Sequence, residues 1–273
     1  MTGTGDQHSL PGPLLASGRD ADVYDLGGGR VLRRYKDATK SSEPDAGIIR
    51  SAQAWGYPVP EVYEVSGPDM VMERVDGPTM LTDLITRPWM VERHARTLAK
   101  LHRQLHGIPA PDWLPTYASH PAFAGLELPP PPPGSVPVPD ALLHLDLHPD
   151  NVILSPRGPV VIDWRNARRG DGNIDVASTW LILDTSEIPN MGVKGRVLDV
   201  VRRLFVVAFL RHVDRAAATR QLPLVARYRL ADRNLLTSER PNIHALLGRN
   251  GLSLEVLSTL RSLDENRDWQ SVH

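Results

Sequence analysis

The residues best suited to chemistry stand in His144-Leu145-Asp146-Leu147-His148-Pro149-Asp150-Asn151 and, a little further on, in Val160-Val161-Ile162-Asp163-Trp164. An Asp and an Asn share a polar loop, a short hairpin follows, and a second Asp ends its last strand. Phosphoryl transfer from a nucleotide needs these parts. One carboxylate orients the attacking hydroxyl and accepts its proton, while an amide and a second carboxylate hold the metal that bridges the phosphates. Mg2+ prefers a few hard oxygen ligands, completed by phosphate and water. The transition state needs little covalent help, so positioned charges supply most of the catalysis.

Such a loop must be held by ordered elements. Residues 1–12 are small and polar and read as a frayed tail. Residues 21–26 and 30–35 flank Gly27-Gly28-Gly29 as a β-hairpin. Glu43 to Trp55 reads as a helix, and 61–65 and 69–74 as two more strands. The first 75 residues therefore predict a small antiparallel sheet with one helix, in the order strand-strand-strand-helix-strand-strand. Pro88 to His106 has apolar residues at helical spacing. Residues 108–140 are proline-rich, with Pro129 to Pro133 in a row, and read as a rigid connector rather than a partner ligand. Residues 141–164 give two short strands around the polar loop. The pattern is helical from Asn173 onward, with its longest stretch at 195–218 and further helices near 224–238 and 252–263. The tryptophans read mostly as core residues, Trp55 and Trp180 among them, and Trp164 as packing. The fold class is α+β: a small N-terminal lobe over 13–76 and a larger, mostly helical lobe over 77–273.

Composition narrows the function. The chain has 273 residues, 31 basic against 32 acidic, and a formal charge of −1. A general nucleic-acid binder carries a basic excess, which is missing here. The absence of cysteine excludes a disulfide scaffold, a thiolate zinc site and cysteine nucleophiles. The N-terminus has no signal-peptide pattern, and the longest apolar run, Leu204 to Leu210, is far short of a membrane span, so a cytoplasmic protein without a membrane partner is expected.

The string H-L-D-L-H-P-D-N followed by I-D-W resembles the aminoglycoside phosphotransferase family, which belongs with choline kinases in the protein-kinase-like fold. The family pattern is H-G-D-L-H-P-x-N and then I-D-W or I-D-F; Leu145 stands at a usual Gly. Gly170-Asp171 and Asp175-Val176-Ala177 are similar to the family's G-D-x-x-x-D-x-A segment. Tyr57 to Val62 and Met70 to Gly77 resemble its P-V-P-x-V and hinge segments, so the likeness spans about residues 14–240. It implies Asp146 as catalytic base, Asn151 and Asp163 as Mg2+ ligands, and Asp175 as a structural brace of the catalytic loop, with ATP as phosphate donor. It also implies Ser17 and nearby amides against the phosphates, and the backbone of Glu73 and Val75 against adenine. Kinases grip the α- and β-phosphates with a strand-3 Lys paired to a helical Glu. Here Arg33 takes the Lys position and Asp45 the Glu position, with Lys36 and Glu43 as the fallbacks. Arg can pair with phosphate bidentately but is not equivalent to Lys.

Three functions follow in order. The first is ATP-dependent, Mg2+-dependent phosphoryl transfer to a hydroxyl of a small molecule. The second is a catalytically silent nucleotide-binding regulator of the same fold. The third is a metal hydrolase, because His-x-Asp-x-His-x-Asp resembles a hydrolase metal cluster. No second His/Asp cluster of matching spacing follows, so His144 is expected to brace the loop and His148 to fill the turn before Pro149. Residues 184–273 carry 14 basic and 10 acidic side chains, an excess of +4. Polycationic aminoglycosides call for a carboxylate-rich pocket, so a neutral or anionic hydroxylated metabolite is the expected acceptor. The Arg165 to Arg169 run reads equally as a solvated loop or as a contact to an anionic substrate.

Overall fold

Alternating strands and one capped helix build the first of two compact units, which comprises residues 1–77 and 153–165; residues 78–152 and 166–273 form the second. The structure, a computed structural model, describes residues 12–120, 140–186, 192–232, 235–236 and 238–252. The expected tail (apart from Gly12), the Pro129 to Pro133 run and the helix expected over 252–263 (apart from Leu252) lie outside these residues.

The first unit is a five-stranded antiparallel sheet in the order β1-β2-β3-β5-β4 with one helix. Its strands are β1 (Leu14–Ser17), β2 (Ala21–Gly27), β3 (Arg30–Tyr35), β4 (Val62–Ser66) and β5 (Asp69–Glu73), with α1 (Glu43–Ala54) between β3 and β4. The expected order is the observed one. The β2–β3 turn works because Gly27, Gly28 and Gly29 all take positive φ, which a side chain would resist. Helix α1 starts with a proline in its first turn and buries Ala46, Ile48, Ile49 and Ala52. It ends in a Schellman-type turn, in which the Tyr57 N–H donates to the Ala52 carbonyl at 3.1 Å. Trp55 sits at that helix end and is 62% exposed, so its apolar periodic position does not make it core. Trp89 and Trp113 are exposed as well, whereas Trp164 and Trp180 are buried.

The second unit is mostly helical. Helix α2 (Met80–Thr86), unforeseen in the sequence, is capped by the Thr79 hydroxyl, which accepts from the Thr82 N–H. Pro88–Met90 forms a 3-10 turn, and α3 (Val91–His106) follows. Strand β6 (Ala141–Leu143) leads into the loop that carries Asp146, and a 3-10 turn at Pro149–Asn151 closes that loop. The hairpin β7 (Val152–Ser155) and β8 (Gly158–Val161) follows, its residues from 153 on returning to the first unit. Strand β9 (Arg168–Gly170) pairs antiparallel with β6. Helix α4 (Gly172–Thr185) is buried over nearly its whole length, from Ile174 to Leu181, which makes it the spine of this unit. The expected single helix over 195–218 is two: α5 (Val193–Leu210) and α6 (Arg215–Leu230). Asp214 separates them, its side chain accepting the Ala217 N–H at 2.9 Å as an N-cap. The helix expected near 224–238 falls partly on α6, which runs through Pro223, and α7 (Glu239–Arg249) is the last helix among the described residues. Among the described residues, no helix is long and apolar enough to cross a membrane.

Candidate active site

The loop that holds Asp146 is fixed from below by side chains of the second unit. Buried Asp175, at the first turn of α4, accepts the His144 N–H at 3.2 Å and the Leu145 N–H at 2.6 Å. These bonds hold Leu145 at φ +64, a left-handed conformation uncommon for a side-chain-bearing residue. That is the position where the family pattern has Gly. Leu145 is itself buried, so apolar packing offsets the backbone cost. The His144 ring, fully buried, accepts the Asp146 N–H on Nδ1 at 3.2 Å, and the Thr179 hydroxyl donates to the Leu147 carbonyl at 2.8 Å. Every residue from His144 to Leu147 is thus tied down through its backbone.

Sequence reasoning missed the supports of Asp175. His106 Nε2 lies 3.1 Å from its Oδ2, and His102 Nδ1 lies 3.6 Å away, too far for a hydrogen bond. His102 Nε2 meets the Thr179 hydroxyl at 3.1 Å. Burial pushes the Asp175 pKa up, but its interactions with His102 and His106 outweigh burial and hold the carboxyl well below the usual range. Burial pushes His102 down. A Cβ on Gly172 would come within 2.6 Å of the His106 ring, so the absence of a side chain there lets His106 reach Asp175. His102, His106 and Asp175 are also spaced as a metal could use them. Both Asp175 oxygens already accept backbone N–H groups, so they serve the loop.

On the open side of the loop, the Asn151 Nδ2 donates to the Asp146 carbonyl at 2.8 Å, which turns the amide oxygen away from that bond. His148 Nε2 lies 3.4 Å from Asp146 Oδ1, and its Nδ1 accepts the Asp150 N–H at 3.3 Å. The expected turn role of His148 is therefore seen, with a contact to the carboxylate besides. Burial raises the Asp146 pKa, but the His148 contact and the electrostatic interactions with His148, His144 and Arg229 prevail, so the carboxyl is held below the usual range.

The first unit gathers a second group. Arg33, Asp45 and Asp163 line one small cleft together with Ile49, Met70 and Trp164. Arg33 Nη1 is 3.1 Å from Asp45 Oδ2, both side chains being largely buried. Tyr35 stands two residues on, so strand alternation puts it on the same face. The Arg33 guanidinium lies 4.5 Å from the Tyr35 ring centroid, and the Tyr35 hydroxyl donates to Asp45 at 2.6 Å. Lys36 turns the other way, donating to the Gly18 carbonyl at 2.7 Å and the Ser17 hydroxyl at 3.1 Å. The Ser17 hydroxyl in turn donates to Asp22 at 2.7 Å, so it is already engaged within the β1–β2 turn. Asp163 has φ +64, the second such non-glycine residue among those described, and its side chain is 38% exposed. Trp164 anchors the next position, packing edge-on against Tyr57 at 5.7 Å and donating to the Val161 carbonyl. Arg165 pairs with Asp20 and lies 3.8 Å from Asp163.

At the end of β5, the Glu73 N–H donates to the Glu61 carbonyl at 2.8 Å, so that amide is engaged within the sheet. The Glu73 side chain accepts from Arg157 at 2.7 Å. The Val75 amide makes no hydrogen bond among the described residues. A Cβ on Gly77 would come within 2.3 Å of the Leu154 carbonyl oxygen, which explains glycine at the end of this segment.

The site groups thus fall into two sets: Asp146, Asn151, His144 and Asp175 in the second unit, and Arg33, Asp45 and Asp163 in the first, with Ser17, Glu73 and Val75 elsewhere in the first. An amide oxygen and a carboxylate are the hard donors that Mg2+ takes, so the residues fit that ion chemically.

Residues 122–194 match the family described as "Phosphotransferase enzyme family". No curated protein matches the sequence. Among solved structures, a choline/ethanolamine kinase family protein from Mesorhizobium loti superposes with a TM-score of 0.50 at 18% identity, covering 94% of each chain. A thermostable mutant of aminoglycoside phosphotransferase APH(4)-Ia, in ternary complex with AMP-PNP and hygromycin B, gives a TM-score of 0.57 at 16% identity, covering 92% of this chain and 93% of that one. The chain therefore has the kinase-like fold of the aminoglycoside phosphotransferases and choline/ethanolamine kinases, and residues 122–194 carry the phosphotransferase family match.

Proposed function

We propose that this protein transfers the γ-phosphoryl group of ATP to a hydroxyl of a small molecule. The observation that supports it most is the catalytic loop. Asp146, its carboxyl held below the usual range, and an oriented Asn151 sit on a loop in which every residue from His144 to Leu147 has a backbone hydrogen bond, and the loop carries a non-glycine residue in a left-handed conformation. Strained backbone of this kind is kept where function needs it.

In this proposal the acceptor oxygen attacks the γ-phosphorus, the new O–P bond forms as the bond to the β-γ bridging oxygen breaks, ADP leaves, and the hydroxyl proton passes to Asp146. Asn151 and Asp163 would hold Mg2+, which supplies charge neutralisation of the phosphates when bound. Arg33, steadied by Asp45 and Tyr35, would grip the α- and β-phosphates, and the Val75 backbone would meet adenine. The acceptor is neutral or anionic. The APH(4)-Ia complex holds AMP-PNP and hygromycin B, a nucleotide analogue and a small molecule together, which fits the same reaction type.

The replacement of the usual Lys–Glu pair by Arg33–Asp45 favours a second reading, a silent nucleotide-binding regulator. ATP turnover with Mg2+ across a library of hydroxylated metabolites separates the two. An active enzyme is expected, with Asp146→Ala lowering kcat by about 10²–10⁴-fold. Nucleotide binding without turnover on any acceptor would support the silent protein instead.

A further inference from the structure

The Arg165–Arg169 run has one arginine whose charge is not answered. Arg169 lies 3.7 Å from Asp140 and 3.9 Å from Asp112, and Arg165 is committed to Asp20 and Asp163. On α6, Arg229 is held by Asp232 at 2.9 Å and Glu239 at 3.1 Å. Arg168 has no carboxylate within ion-pair distance among the described residues; its Nη1 only donates to the neighbouring Ala167 carbonyl at 2.9 Å. It is partly buried on β9. Keeping a cation out of bulk water without an anion is unfavourable, so such a residue is expected where a ligand supplies the anion.

Its place in the fold suits that. Arg168 stands directly opposite Leu143, the residue before His144, so the strand that leads into the catalytic loop also fixes the backbone of Arg168. An aromatic group lies within electrostatic range of it. The Tyr228 ring lies 4.6 Å from His120 and 5.2 Å from Tyr117. Burial lowers the His120 pKa, and the Arg168 charge lowers it further against Asp232. Burial raises the Tyr228 hydroxyl, Arg168 opposes that, and Asp232 and Asp146 add to it. Tyr228 is therefore within electrostatic reach of both the unanswered cation and the base. Asp232 is the competing anion here, and Arg229 already engages it.

We propose that Arg168 is a specificity residue that selects an oxyanionic acceptor, a molecule with a carboxylate or phosphate group besides its hydroxyl. This rests on the phosphotransferase reading above. A guanidinium presents two parallel donors that match either oxyanion, so carboxylate and phosphate acceptors are the two sources to tell apart.

The test uses the full chain, ATP labelled at the γ-phosphate, Mg2+ and a cell metabolite extract divided by ion exchange into cationic, neutral, carboxylate and phosphate pools. Label is expected from the carboxylate or the phosphate pool, and which of the two decides the source. With the acceptor isolated from that pool, Arg168→Gln should raise its KM by about tenfold or more. The kcat should change far less, Arg168→Lys should recover part of the loss, and ADP affinity should stay unchanged. A purely structural role would instead lower stability and ADP binding together. Label arising mainly from the neutral or cationic pool, or a wild-type KM in Arg168→Gln, would overturn the proposal. Label in no pool, with ADP still bound, would overturn the phosphotransferase reading and this inference with it.

Discussion

Leu145 occupies a left-handed position at φ +64 that glycine would take more cheaply, yet it is buried. The backbone cost is about 1–2 kcal/mol. Burying a leucine side chain returns about 1.5–3 kcal/mol, and glycine would also add about 0.5–1 kcal/mol of unfolded-chain entropy. Packing wins, so Leu145→Gly should destabilise by about 1–2 kcal/mol in urea denaturation; a gain in stability would contradict this. Asp175 is the residue on which the loop depends. Asp175→Asn leaves amides and imidazoles without their carboxylate and should cost about 3–5 kcal/mol. Its folded pKa is depressed, so the contribution is complete above the unfolded value near 3.9. It is lost as pH falls through the folded-state value, and buried His102, shifted down, adds acid sensitivity in the same direction. The stability gap between wild type and Asp175→Asn should therefore be constant around neutral pH and shrink below about pH 4.

At the scale of elements, Gly172 and Gly77 carry sharp predictions. Gly172→Ala should displace His106 from Asp175 and weaken the Asp146 loop, read under the proposed function as lower kcat with little change in ADP affinity. Gly77→Ala meets a backbone oxygen at 2.3 Å, which cannot rotate away, and should destabilise the first unit, read as a lower unfolding midpoint. The first unit was legible because period-2 strands and Gly27-Gly28-Gly29 leave one pairing pattern. The α5–α6 break was not, because apolar spacing runs on through it and only the Asp214 side chain marks a new start. The helix expected near 224–238 is in part the second half of α6, which runs on through Pro223. Helix α2 has only seven residues, too few to show a period, and Thr79 was its one signal. The motif residues Asp146, Asn151 and Asp163 were legible from spacing. His102 and His106 were not, because they lie on α3, a helix far from the motif in sequence, and look there like ordinary helix residues.

For the whole molecule, the balance of charge is a matter of pairing rather than of totals. Within 184–273, Arg202 and Arg203 hold Asp199, Arg229 holds Asp232 and Glu239, and Arg249 holds Asp184; these pairs leave the +4 excess unchanged but decide where charge is answered. A regional count therefore says little about the acceptor pocket, and single unanswered groups such as Arg168 say more. Ligand linkage acts at the same scale. ADP at about 100 times its Kd should stabilise the chain by about 2.7 kcal/mol, a rise in Tm of several degrees. Mg2+ should enlarge that rise in the wild type but not in Asp163→Ala, and equal Mg2+ effects in both would remove Asp163 from metal binding. The central claim is phosphoryl transfer through Asp146, and the most direct measurement is acceptor-dependent ADP release by the wild type and by Asp146→Ala at equal nucleotide occupancy. Turnover in the wild type with a loss of about 10²–10⁴-fold in the variant is predicted; equal rates in the two, with nucleotide bound, would contradict it.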